Sequence, residues 1–142
     1  MQEAMQELTI TVRPVPELSK NRMKALHHQR AARYTREARE DAHMLALKAI
    51  QERLPRGWKL PLSKAVLVVT QYYANRPLDY DGLAMKAAPS IDGLVDAGVI
   101  VDDAPKCVVG YYLEHCKVAK RAENRIEISV KLPKDVIYPW AR

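Results

Sequence analysis

One stretch limits the fold more than any other: Ala65-Val-Leu-Val-Val-Thr-Gln-Tyr-Tyr73. It is nearly continuously apolar and rich in β-branched and aromatic residues. Such a segment predicts a central strand buried on both faces. The chain must then be built around a sheet, and at 142 residues it fits one domain, 1–142.

The remaining elements follow from periodicity. Leu8, Ile10 and Val12 alternate with Thr9 and Thr11, a strand that Pro14 and Pro16 end. A helix is expected from about Thr35 to Leu54, with Ala38, Ala42, Leu45 and Ala49 in one stripe, widened by Ala46 and Ile50. Its alanines allow close approach to a sheet, and Pro55 and Gly57 stop it. Cys107 to Lys120 reads as a second long strand. Arg125 to Leu132 reads as a half-exposed one, with Ile126, Ile128, Val130 and Leu132 on one face. Lys117, Lys120, Arg121, Glu123 and Asn124 between them read as a hairpin tip. The tail, residues 133–142, shows no periodicity, and Trp140 is available to tuck onto the body or a second subunit. The expected class is α/β (α+β): a small mixed sheet of about four strands with helices packed against it.

Charge is unevenly spread. The chain carries a net charge of +6, which suits a polyanionic partner. The basic segment 19–39 holds Lys20, Arg22, Lys24, Arg30, Arg33, Arg36 and Arg39, with Glu37 as its acid. It reads either as a solvated loop leading into a helix or as an arm that contacts phosphates. The adjacent His27 and His28 point in different directions and make poor joint metal ligands. Between Asp79 and Asp103 the pattern inverts: Asp79, Asp81, Asp92, Asp96, Asp102 and Asp103 surround one cation, Lys86.

Asp79 and Asp81, two apart, point to one side of an extended backbone with Cα atoms roughly 7 Å apart. They are then placed to converge on a hard cation. In a turn or helix start, Asp81 serves instead as a cap and Asp79 in an Asx-turn. Leu83 to Ala88 has helix-forming composition. Pro89 either kinks that helix or begins a second one, and Gly98 caps its end. Val99-Ile-Val101 then leads to Asp102-Asp103, which returns a second carboxylate pair toward the first. Two metal ions about 4 Å apart support in-line phosphodiester hydrolysis.

These residues resemble the RusA family of Holliday junction resolvases, phage-derived endonucleases. The likeness rests on Asp79-Tyr-Asp81-Gly-Leu83, Lys86, Asp92-Gly-Leu94-Val-Asp96-Ala-Gly98 and Asp102-Asp103, in order along one continuous segment. It implies a magnesium-dependent endonuclease that resolves four-way junctions by paired cuts, with manganese as a possible substitute, acting as a homodimer. The implied metal carboxylates are Asp79, Asp81 and Asp103, with Asp102 and Asp92 behind them, and Lys86 is the implied catalytic lysine. The candidate DNA-binding residues, read from charge, are Lys20, Arg22, Arg30, Arg33, Arg36, Lys117, Lys120 and Arg121; the N-terminal region lacks a close copy of the family's basic signature, to which Lys20 and Arg22 come nearest. Gly82 stands where the family has asparagine, and Lys86 departs from the family's spacing after Asp81. A non-catalytic DNA-binding relative, or a nuclease for flaps or forks, is the alternative.

No phosphate loop of the GxxxxGK kind, no HExxH and no CxxC occurs, so nucleotide hydrolysis and zinc chemistry have no support. The first residues lack the pattern of a signal peptide and the longest apolar run is too short for a bilayer, so a cytoplasmic location is expected. Cys107 and Cys116 lie in strand-like sequence and would be roughly 30 Å apart, so both are read as reduced thiols.

Overall fold

A computed structural model describes residues 6–13 and 28–136, without the side chains of residues 28 and 29. Lys20, Arg22, Lys24, His27 and Trp140 lie outside the described residues. Four strands, β1 (Glu7–Val12), β2 (Ala65–Tyr73), β3 (Val108–Lys117) and β4 (Arg125–Lys131), form one sheet in the order β1-β4-β2-β3. β4 is antiparallel to both β1 and β2, whereas β2 and β3 are parallel. Among the described residues two α-helices complete it, α1 (His28–Arg53) and α2 (Tyr80–Asp96), with short 3-10 turns at Arg121–Glu123 and Pro133–Asp135. The expected mixed sheet with helices against it is the observed architecture. Among the described residues no helix is long and apolar enough to cross a membrane.

The register shows why one face is apolar. Leu8, Val130 and Leu67 stand in one row across three strands, and Ile10, Ile128 and Val69 in the next. All six are fully buried, and Ala42, Ala46 and Ala49 of α1 join them with Leu83, Ala87, Ile91 and Leu94 of α2. Both helices therefore cover the same face. The opposite face is largely polar: Thr9 and Ser129 share a hydroxyl hydrogen bond of 2.9 Å, and the Arg125 guanidinium lies 3.9 Å over the Tyr72 ring. β2 is accordingly buried throughout only from Ala65 to Leu67; Val68, Thr70 and Tyr72 on the uncovered face are half-exposed. Central position in the sheet gave the strand its apolar sequence, but only one face acquired a helical cover.

Four further expectations shift. α1 begins at His28, seven residues before Thr35 by the numbering, so the described part of the basic segment is helix rather than loop. Its first turns are solvated, with Arg33 and Glu37 paired at 3.5 Å one turn apart. Leu45 lies outside the buried stripe, 37% exposed, because Ala42, Ala46 and Ala49 take the contact. Of the two outcomes open at Pro89, a second helix does not begin there: α2 runs through it as one helix, with Ala87, Ile91 and Leu94 buried on either side. β3 and β4 are not neighbours, so residues 118–124 form no hairpin; they cross the end of β2, where Val118 N–H donates to the Tyr73 carbonyl at 2.8 Å.

α2 ends as its sequence predicts. Gly98 takes φ 78°, its N–H donates to Val95 O and that of Val99 to Leu94 O, both at 3.0 Å, which completes a Schellman cap. Cys107 is buried and Cys116 exposed, both as free thiols.

α1 and α2 touch at Gly93. A β-carbon there would stand 2.7 Å from the Ala42 Cβ, 2.7 Å from the Arg39 carbonyl oxygen and 2.8 Å from the His43 amide nitrogen. Backbone atoms cannot yield cheaply in a packed core. Gly93→Ala is expected to destabilise the protein by about 1–3 kcal/mol through this overpacking, measured as a lowered urea midpoint.

Candidate functional site

Because β2 and β3 are parallel, their carboxyl ends emerge together, and α2 begins beside them. In open α/β sheets ligand sites lie outside such strand ends. The last inward-facing row to cross all four strands is Val12, Ile126, Gln71 and His115, apolar on β1 and β4 but polar on β2 and β3. Leu78 N–H donates to Gln71 Oε1 at 2.9 Å, and His115 Nε2 lies 2.8 Å from the Leu78 carbonyl oxygen. A carbonyl only accepts, so Nε2 carries the proton. Both backbone polar groups of the residue preceding Asp79 are thus held by the sheet. Tyr80 packs edge-on against His115 with ring centroids 5.2 Å apart, and Tyr73 lies 6.3 Å from the same ring. Sequence reasoning passed over this group. The available signal was Gln71, a polar residue in phase with inward Leu67 and Val69.

Asp79 is the N-cap of α2. Its Oδ1 accepts from Gly82 N–H at 2.6 Å, while its carbonyl accepts from Leu83 N–H at 2.9 Å. Asp79 has extended backbone and Asp81 lies in the first helical turn. The expected pairing of the two carboxylates along one extended strand is therefore replaced by a helix start, with Asp79 rather than Asp81 as its cap. Gly82 fits that turn: a β-carbon there would press on Asp79 Oδ1 at 2.8 Å. Any side chain at that position would crowd the capping carboxylate.

Asp102 and Asp103 are set by their own short supports. Leu62 and Ile100 form a parallel bridge, with Leu62 N–H to Val99 O at 2.8 Å and Val101 N–H to Leu62 O at 3.0 Å. Asp103 N–H donates to Asp102 Oδ1 at 2.8 Å, and beyond them Cys107 N–H and Val108 N–H both donate to Ala104 O. Asp103 lines a cavity with Ala88, Ile91 and Tyr111 on the flank of α2 where Asp81, Ala88 and Asp92 form one stripe. Its carboxyl is pushed up, first by partial desolvation, then by its hydrogen bond to Asp102 and the charges of Asp92 and Asp102. Asp103 thus shares a flank with Asp81 but has Asp92 and Asp102 as its acidic neighbours. Residue 81 lies about 10 Å up the helix from residue 88 by helical rise.

An all-carboxylate set has the right chemistry for a hard divalent cation. As arranged, though, it does not close into a three-carboxylate site: among the described residues, no three His, Cys, Asp or Glu side chains gather as a metal-holding group.

Lys86 belongs to the other flank. Five residues beyond Asp81, it is turned by about 140° around the helix. It lines a cavity between α1 and α2 with Tyr34, Glu37 and Asp41, whereas Asp103 lines the cavity across the helix. Nearby, Asp96 and Arg39, drawn from the acidic and basic runs of the sequence, pair in two hydrogen bonds of 2.6 and 2.8 Å. That clamp ties α2 to α1 beside Gly93. It uses Asp96 structurally and holds its carboxyl below the usual range, chiefly through the hydrogen bond from Arg39.

Basic residues collect near the same sheet end as Asp79. Lys117 closes β3, and Lys120 and Arg121 lie in the crossing segment, all exposed. Arg13, just past β1, donates to Ala122 O at 3.2 Å and so joins that segment. Arg30, Arg33 and Arg36 are exposed on the first turns of α1, whose residues 34–41 border Val12 and Arg13.

Comparison of the chain with protein-family models and with curated proteins gives no match. What the geometry defines is a class of fold and a polarised sheet end.

Two outcomes follow from these contacts. His115→Ala leaves the part-buried Leu78 carbonyl without its partner, and is expected to cost about 1–3 kcal/mol. Faster amide exchange at Gly82 and Leu83 than in the core strands would report the loosened start of α2. Because Arg39 depresses the folded-state value of Asp96, the clamp stabilises above the unfolded carboxylate value and is lost as pH falls through the depressed one. The difference in melting temperature between native protein and Arg39→Ala should therefore be steady above about pH 5 and shrink on acidification.

Proposed function

We propose that the chain is a magnesium-dependent endonuclease acting on branched DNA, four-way junctions among them, of the kind its acidic segment resembles. The observation that carries this reading is the coincidence at one sheet end of the Asp79–Asp81 helix start with exposed Lys117, Lys120 and Arg121. Cations grip phosphates without reading sequence, which suits a substrate recognised by shape. Asp79, Asp81 and Asp103 are the proposed carboxylates, with Asp102 and Asp92 beside Asp103. Magnesium, when bound, supplies an activated water and stabilises charge on the phosphate. Asp79, Asp81 and Asp103, which stand apart as arranged, would have to draw together to hold it, and the basic residues would fix the DNA arms. A homodimer would present two such sites to a two-fold substrate.

The second reading, a DNA-binding relative without catalysis, is favoured by the engagement of Asp79 Oδ1 as a helix cap and by the place of Lys86 in the cavity between α1 and α2, across the helix from Asp103. One experiment separates the two. A synthetic four-way junction is incubated with the native chain and with Asp81→Asn, with and without magnesium. Paired nicks that require metal and vanish in the variant, while binding persists, are expected. Tight binding with no nicking in magnesium or manganese would establish the second reading.

A further inference from the structure

We propose that Tyr80 is a stacking platform for an unpaired nucleobase, so that the preferred substrate is DNA with a base splayed out of the duplex beside Asp79. This rests on the DNA-binding reading above and narrows its substrate class. A single exposed apolar side chain is common on protein surfaces and means little alone. Tyr80 differs in being both exposed and held. It is 62% exposed as the first residue of α2, yet its ring packs on His115 at 5.2 Å. His115 is itself fixed by its hydrogen bond to the Leu78 carbonyl and flanked by Tyr73. The ring is thus steadied on one side, which lessens the conformational freedom lost when a flat partner settles on it.

The surroundings choose the partner. Lys117 follows His115 by two residues on β3, Lys120 and Arg121 cross the same strand ends, and Arg76 is exposed in the loop before Tyr80. A rigid aromatic face among cations suits a base joined to a phosphate backbone, and every base offers a π face. A base inside a duplex is closed on both sides by its neighbours. Only one that has left the stack can reach the tyrosine.

The test uses the full chain in EDTA, so that binding is read without cleavage. The probes are a duplex with one unpaired 2-aminopurine at a bulge and its fully paired counterpart. Native protein is expected to bind the bulged probe more tightly and to quench its fluorescence by stacking. Tyr80→Phe should keep both properties, while Tyr80→Ala should lose the quenching and roughly 5- to 150-fold in affinity for the bulged probe, with a smaller loss on the paired one. Circular dichroism checks that Tyr80→Ala remains folded. Equal binding of the bulged probe by native protein and Tyr80→Ala, or absence of quenching by native protein, would overturn the platform and leave the DNA reading standing. Failure of native protein to bind either probe would overturn both.

Discussion

The contact between α1 and α2 at Gly93 is the constraint on which the rest of the structure depends. Only a residue without a side chain lets the Ala42 methyl and the backbone of Arg39 and His43 come so close. That closeness lets two helices share one face of a four-stranded sheet, with Leu67 and Val69 fully buried in the common core. Arg39 and Asp96 lock the crossing from its rim. The pair is part-exposed, so its role lies more in angle than in energy. Once the crossing is fixed, the start of α2 is carried to the carboxyl ends of β2 and β3.

At that end the sheet changes character within a single row of side chains. Val12 and Ile126 close the core, while Gln71 and His115 in the same row turn to hold the backbone of Leu78. A buried apolar pair there would leave both Leu78 groups without those partners, and a fully polar row would open the core. The outcome is a helix start whose cap, Asp79, and first aromatic, Tyr80, sit on a fixed base. Asp102 and Asp103 depend on a different support, the bridge between Leu62 and Ile100. The two acidic groups are therefore positioned independently, and the middle of α2 is what joins them.

Much of the fold was legible because its signals are local. Alternation in β1 and β4, the apolar run of β2 and the glycine at the end of α2 each follow from a few adjacent residues. The boundary of α1 was less legible, since a strongly basic stretch carries no apolar stripe to mark where the helix begins. Pro89 left a kink or a second helix open, and the second helix is excluded only by the continuity of α2, whose Ala87, Ile91 and Leu94 pack on either side of it. The supposed hairpin failed for a similar reason: proximity in sequence suggested that β3 and β4 pair, whereas β2 lies between them.

By itself, the sequence determined the element types, the inward faces of the strands and the segregation of acids from bases, all of which are properties of spacing and composition. Tertiary structure alone decided which of those charges meet. It gave Asp96 to Arg39, made Asp79 a cap, set Asp103 beside Asp92 and Asp102, and put Lys86 in the cavity that Glu37 and Asp41 also line. The physical reason is that a carboxylate's partner is fixed by helix phase and by the crossing of elements far apart in the chain. A shift of one residue turns a side chain by about 100°. A run of acids can be read from the sequence; which way each one faces cannot be read without the fold.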